Sequence, residues 1–119
     1  MTKASSERRR ERRVPVQIQI QYKTADGFFQ DYMRNLSLGG IFIETEKPLP
    51  MNTKLRVEFC LPEMADPITA DGIVVHTLRV GRTKSPSVSG MGIRFSALES
   101  SSKQLLESYL QVQNGAVSP

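Results

Sequence analysis

The chain has 119 residues, 39% hydrophobic and 24% charged, with one cysteine and a net charge of +4. That composition fits a single globular domain with its own core and excludes a largely disordered chain. One cysteine excludes an intramolecular disulfide, and no apolar run approaches the ~18 residues of a membrane span. Lacking an apolar stretch after its basic start, the N-terminus does not read as a secretory signal. A reducing, cytoplasmic compartment is the expectation.

Residues 1–13 carry the whole charge of +4, and residues 14–119 are balanced. Five arginines fall between Arg8 and Arg13. Guanidinium stays charged at physiological pH and presents a planar fork that fits phosphate oxygens or a guanine edge. The segment is expected to be a flexible basic arm, because like charges repel and have little to pack against. A solvated charge run is the plainer reading of the same residues.

After Pro15, which cannot donate to a ladder and marks a strand start, the pattern alternates. Val16, Ile18, Ile20 and Tyr22 lie on one side, Gln17, Gln19 and Gln21 on the other. That period predicts a strand with one wet face. Ala25-Asp26-Gly27 predicts a turn, since Asp-Gly tolerates positive φ, and residues 28–34 a return strand. Asn35-Leu36-Ser37-Leu38-Gly39-Gly40 breaks the pattern with residues that bond to nearby backbone or permit tight turns.

Ile41 to Thr45 resumes as a strand, and Pro48 to Asn52 is a loop. Residues 54–61 alternate cleanly, with Leu55, Val57, Phe59 and Leu61 on one face. Ile68 to Val80 reads as a long strand with a bulge at Asp71-Gly72. Gly81 to Ser89 reads as a flexible hairpin loop, and Gly90 to Phe95 as the last strand. Ser101 and Gln104 suggest a capping box. Leu105, Leu106, Tyr109 and Leu110 then form a stripe at helical spacing, ended by Asn114-Gly115.

Short strands joined by hairpin-like turns, with one late helix, predict an all-β, split-barrel-like antiparallel barrel. A two-sheet sandwich is the competing architecture. The expected organisation is an arm over 1–13, the barrel and helix over 14–112, and a loose tail over 113–119.

Signals for catalysis or metal binding are weak. His76 is the only histidine and lies in an apolar strand. With one His and one Cys there is no zinc set, and the spacing of Cys60 and His76 does not suggest a nucleophile pair. The carboxylates form no known metal loop. No Walker-type loop is present, and Gly90-Met91-Gly92 is too short for a dinucleotide fingerprint. A non-enzymatic binding protein without a metal is expected.

Two stretches carry a resemblance. Arg9-Arg10-Glu11-Arg12-Arg13 before Val14-Pro15-Val16 matches an RxxxR motif leading into a first strand. Asn35 to Gly40 matches a (D/N)xSxxG motif between strands two and three. With the late Gly90-Met91-Gly92-Ile93-Arg94-Phe95 strand and the closing helix, the chain resembles the PilZ domain, a bacterial receptor module for cyclic di-GMP, over roughly residues 7–112.

The resemblance implies a six-stranded antiparallel barrel with a C-terminal helix, and cyclic di-GMP as ligand. Arg9 and Arg13 take the two motif arginine positions, for phosphate and guanine. Asn35 and Ser37 take the polar positions, for a base edge or phosphate. Gly40 takes the final glycine, where a side chain would block the ligand or the turn, with Gly39 beside it. Arg8 and Arg10 flank the motif as further phosphate contacts, and a register slipped by one would instead make Arg8 and Arg12 the working pair.

Where the family often has an aromatic, commonly Trp, this chain has His76. Ligand binding would order the arm and signal to a downstream protein partner, the family's outputs including motility and exopolysaccharide or biofilm control. Two other readings remain open. One is a small barrel that binds RNA or DNA through its arm, with steep salt dependence; the other is a PilZ-like adaptor that does not bind ligand.

Overall fold

A computed structural model of the chain describes residues 13–78 and 89–115. The arm upstream of Arg13, with Arg8, Arg9 and Arg10, lies outside the described residues. So do most of the loop expected between Gly81 and Ser89 and the last residues of the tail.

Six strands and one helix follow in order: β1 (Val14–Thr24), β2 (Gly27–Leu36), β3 (Gly40–Glu44), β4 (Lys54–Cys60), β5 (Pro67–Leu78), β6 (Gly90–Leu98) and α1 (Ser100–Gly115). Every pairing is antiparallel, in the order β1-β2-β3-β6-β5-β4. The return pairing of β4 with β1, from Ile20 opposite Phe59 to Lys23 opposite Arg56, closes the sheet. Closure decides for a barrel over a sandwich and leaves each strand with a neighbour on both sides.

The alternation seen in the sequence is the inside–outside alternation of the barrel. Ile20 and Tyr22 of β1, Met33 of β2, Ile41 and Ile43 of β3, Val57 and Phe59 of β4, Val74 of β5 and Ile93 of β6 fill the interior. Each fully buried aliphatic side chain of this size contributes about 1.5–3 kcal/mol. Leu106 and Leu110 of α1 join the same cluster, so the helix packs its apolar stripe onto the barrel. Tyr22 also enters the core; its hydroxyl donates to Asp31 Oδ2 at 2.7 Å and its ring stacks on Phe29.

Several boundaries differ from expectation. Gly27 does not use positive φ: Ala25 and Asp26 form the two-residue loop, and Gly27 pairs with Thr24 in the ladder. The Asp26 N–H donates to Thr24 Oγ1, which satisfies the turn locally. Among the described residues positive φ falls instead at Asn52 and Glu63. Asn52 lies in the expected 48–52 loop, where its short polar side chain tolerates the left-handed region.

Serine capping also differs. The helix has already begun at Ser100, and the Lys103 N–H donates to the Glu99 carbonyl, so Ser101 lies inside the first turn. Ser102, buried, accepts the Thr69 N–H at 3.0 Å and ties the helix to β5. The helix runs to Gly115, the end expected from Asn114-Gly115.

Three of the strand pairings carry register shifts. They fall between Pro15 and Ile18 of β1, between Met33 and Asn35 of β2, and on β5 at Asp71/Gly72 and Val74/His76. Bulges bend a strand and re-aim its side chains. The shifts at Pro15/Ile18, Met33/Asn35 and Val74/His76 adjoin residues of one surface hollow.

Candidate functional site

The corner between β2 and β3 is built around Ser37. Its hydroxyl donates to the Gly40 carbonyl at 3.2 Å and accepts the Gly39 and Gly40 N–H groups at 3.3 and 3.2 Å. The Ser37 N–H donates to the same carbonyl at 2.9 Å, and the Gly39 carbonyl accepts the Phe95 N–H. A hydroxyl offers one donor and two acceptor positions, so all three are in use, on a residue only 1% exposed. The ligand hydrogen bond expected from Ser37 finds no free valence in this geometry. Its work is to hold the corner, which the Gly39 carbonyl then ties to Phe95 of β6.

Gly40 is explained by its neighbour. A Cβ there would collide with the Ile93 backbone carbonyl, so the missing side chain permits the close approach of β3 to β6. The obstruction lies on β6, not in the turn itself.

Asn35 lies at the end of β2, opposite Pro15 of β1 and Phe42 of β3. The sequence pattern suggested that the strand ends before it, but the bulge at Met33/Asn35 carries the strand through to Leu36. Asn35 Oδ1 accepts Arg13 Nη1 at 2.7 Å. The two motif stretches thus meet through one side-chain hydrogen bond.

That bond sits at the edge of a hollow of about 450 Å³. Arg13, Asn35 and Gly39 line one side of it; Phe42, His76, Gly92 and Arg94 line the rest, with apolar wall from Val75 and Leu78. The floor follows from strand register. Phe42, Gly92 and His76 form one row across β3, β6 and β5, and Gly40, Arg94 and Ile73 form the next. Directly paired residues share a face. Gly92 places no side chain between Phe42 and His76, whose rings meet edge-to-face with centroids 6.3 Å apart.

His76 was read from the sequence as part of an apolar strand. It does lie in β5, and the shift between Val74 and His76 puts both Val75 and His76 at the surface. No local sequence signal marks that bulge.

The electrostatics of the hollow are one-sided. Four arginines are described: Arg13, Arg34, Arg56 and Arg94. Arg34 pairs with Glu44, and Arg56 with Asp71 and Glu99. The two that line the hollow, Arg13 and Arg94, have no carboxylate partner among the described residues, and no Asp or Glu lines the hollow with them. A larger hollow, about 980 Å³, opens elsewhere along β1, β2 and β3. Asp31, Glu44 and Glu46 line it against a single Lys47, so it disfavours an anion. Among the described residues no three His, Cys, Asp or Glu gather as a metal-ligand set.

The PilZ domain family model matches residues 7–111. The chain belongs to the PilZ domain family. Solved structures of similar fold include the Bacillus subtilis inhibitor of motility MotI/DgrA, at 19% identity and a TM-score of 0.76, over 92% of this chain and 52% of that one. The PilZ domain of Escherichia coli YcgR with c-di-GMP matches at 20% identity and a TM-score of 0.67, over 92% of this chain and 94% of that one. The K. pneumonia MrkH–c-di-GMP complex matches at 19% identity and a TM-score of 0.75, over 92% and 53%. This PilZ chain therefore spans about half the length of the MotI and MrkH structures. No curated protein sequence matches it. No described helix is long and apolar enough to cross a membrane.

Sequence reasoning missed Arg94, Phe42 and Gly92 as site residues. The spacing of Gly92 and Arg94 puts them on one face of a strand. What places that face beside Asn35 is the pairing of β3 with β6, between segments far apart in the chain.

Proposed function

We propose that this PilZ domain is a non-enzymatic receptor for cyclic di-GMP that takes its ligand in the hollow between the arginine arm and the Ser37–Gly40 corner. The observation that carries the reading is the meeting of Arg13 and Asn35 at the rim of a hollow whose arginines, Arg13 and Arg94, have no carboxylate partner among the described residues. Arg13 supplies a guanidinium for a phosphate oxygen or a guanine O6/N7 edge. Asn35 holds that guanidinium through Oδ1 and keeps its amide N–H groups for the ligand. Ser37 and Gly40 keep the corner in shape, and Gly39, having no side chain, leaves room at the wall.

Arg9, with Arg8 and Arg10 beside it, closes over the ligand from the arm. Ordering that segment costs conformational entropy, which the charge-assisted contacts must exceed. The ordered arm then presents a changed surface to a downstream protein partner, so ligand binding becomes a signal. The structures of the YcgR PilZ domain and of MrkH with c-di-GMP, on the same fold, support this choice of ligand. A cytoplasmic setting suits both a free cysteine and a soluble nucleotide messenger.

Calorimetric titration tests the reading, comparing cyclic di-GMP with GTP, single-stranded RNA and duplex DNA at two salt concentrations. Saturable binding of cyclic di-GMP, lost in Arg13→Ala, is the expected result. Tight cyclic di-GMP binding that ignores both Arg13→Ala and Asn35→Ala would put the site elsewhere. Binding of RNA or DNA alone, with a steep salt slope, would replace the receptor by a nucleic-acid-binding barrel.

A further inference from the structure

We infer that Arg94 is a ligand-contacting residue outside both motifs, a guanidinium fixed on β6 that takes a phosphate oxygen of the ligand from the side opposite the arm. The inference rests on the receptor reading and adds to it a contact that neither RxxxR nor (D/N)xSxxG contains.

Strand register gives the first argument. Arg94 pairs with Gly40 across β3–β6 and with Ile73 across β5–β6, so its side chain leaves the barrel on the outer face beside the Gly92 floor. Neither cross-strand neighbour can pair with its charge, since one has no side chain and the other is aliphatic. Asn35 lies on β2, two strand spacings from β6, or about 10 Å. Arg13 and Arg94 therefore rise from opposite sides of the hollow.

Charge gives the second. Surface arginines elsewhere in the described barrel pair with carboxylates, as Arg34 does with Glu44 and Arg56 with Asp71. Arg94 is exposed, lines the hollow and has no such partner among the described residues. Two guanidiniums across an otherwise uncharged hollow suit a ligand with two separated anionic groups. A cyclic dinucleotide carries two phosphodiesters. Arg13 precedes the first residue of β1 and is held by its bond to Asn35, whereas Arg94 stands on a strand paired on both sides. The β6 contact is thus available before the arm arrives and needs less ordering.

The test is calorimetric titration of the full chain with cyclic di-GMP, for wild type, Arg94→Ala, Arg94→Lys, Arg13→Ala and Arg56→Ala, at two salt concentrations. Circular dichroism confirms that each variant is folded. Arg94→Ala should weaken binding by roughly ten- to a hundredfold, the weight of a lost charge-assisted contact, and should flatten the salt dependence. Arg94→Lys should recover part of the affinity, since it keeps the charge and loses the fork. Arg56→Ala removes an equal charge outside the hollow and should change affinity less than about twofold. If Arg94→Ala binds like wild type while Arg13→Ala does not, this inference is wrong and the receptor reading stands. If wild type itself does not bind, both fall together. An equal loss in Arg94→Ala and Arg56→Ala would reduce Arg94 to general charge and overturn the contact.

Discussion

Arg13 Nη1 donates to Asn35 Oδ1 at 2.7 Å, joining two side chains separated by the whole β1–β2 hairpin. Because Asn35 is neutral, it orients the guanidinium without cancelling its charge. An Asp at this position would form an ion pair instead. The bond is exposed, so it contributes little to folding. Asn35→Leu should change unfolding free energy by less than about 1 kcal/mol in urea titration. The same change should weaken cyclic di-GMP by roughly tenfold, because the arginine loses its orientation and the hollow an amide. A variant that loses stability and affinity together would make Asn35 structural.

The glycines around the hollow are predicted to separate. Gly40→Ala drives a methyl into the Ile93 backbone carbonyl, which cannot move without displacing β6. It should destabilise the fold by about 1–3 kcal/mol. At Gly92 the nearest atoms to an added methyl are those of the His76 ring, at 3.7 Å, an ordinary contact. Gly92→Ala should leave the unfolding midpoint within about 1 kcal/mol of wild type while raising the floor between Phe42 and His76, so binding falls with the fold intact. Thermal melts and titrations on the same two samples decide this. Equal destabilisation would mean that Gly92, like Gly40, is there for packing.

Ser37 is predicted to act through the corner. Removing its hydroxyl leaves the Gly39 and Gly40 N–H groups without their side-chain acceptor. An unsatisfied buried polar group costs about 1–3 kcal/mol. Ser37→Ala should therefore destabilise the protein by that order. It should also speed hydrogen exchange at the Gly39 and Gly40 amides relative to the core of β4. Loss of ligand affinity with unchanged exchange at those amides would restore Ser37 as a direct contact.

These outcomes show which parts of the site were legible in the chain. Period-two runs of branched residues, such as Val16 to Tyr22 and Leu55 to Leu61, marked strands because one barrel face is buried. The meeting of Arg13 and Asn35 was legible as a resemblance between motifs. A barrel was the expected architecture, but which strands close it was not legible, since antiparallel runs look alike whether or not their edges meet. Whether His76 faces inside or outside was left open by the sequence, because a bulge reverses the two without changing composition. Arg94 was missed for a related reason. Its place in the hollow follows from pairing with Gly40, which is distant in the chain, and no carboxylate among the described residues pairs with it.

A titration away from the hollow tests the core. Tyr22 is 2% exposed and donates to Asp31. Burial, and then the hydrogen bond and charge of Asp31, raise its phenol well above the ordinary value near 10, against a smaller opposing effect of Thr45. The folded state therefore holds the Tyr22 proton more tightly than the unfolded chain does. Its contribution is fully present below pH 10. Above pH 10 the unfolded chain releases the proton while the native state keeps it, so stability falls by about 1.4 kcal/mol per pH unit from this group. The readout is a difference between two proteins that share every other group. In urea unfolding between pH 8 and pH 11, wild type should lose more stability than Tyr22→Phe, and only above pH 10. Parallel curves for the two proteins across that range would mean that the Tyr22 phenol is not held by burial and Asp31.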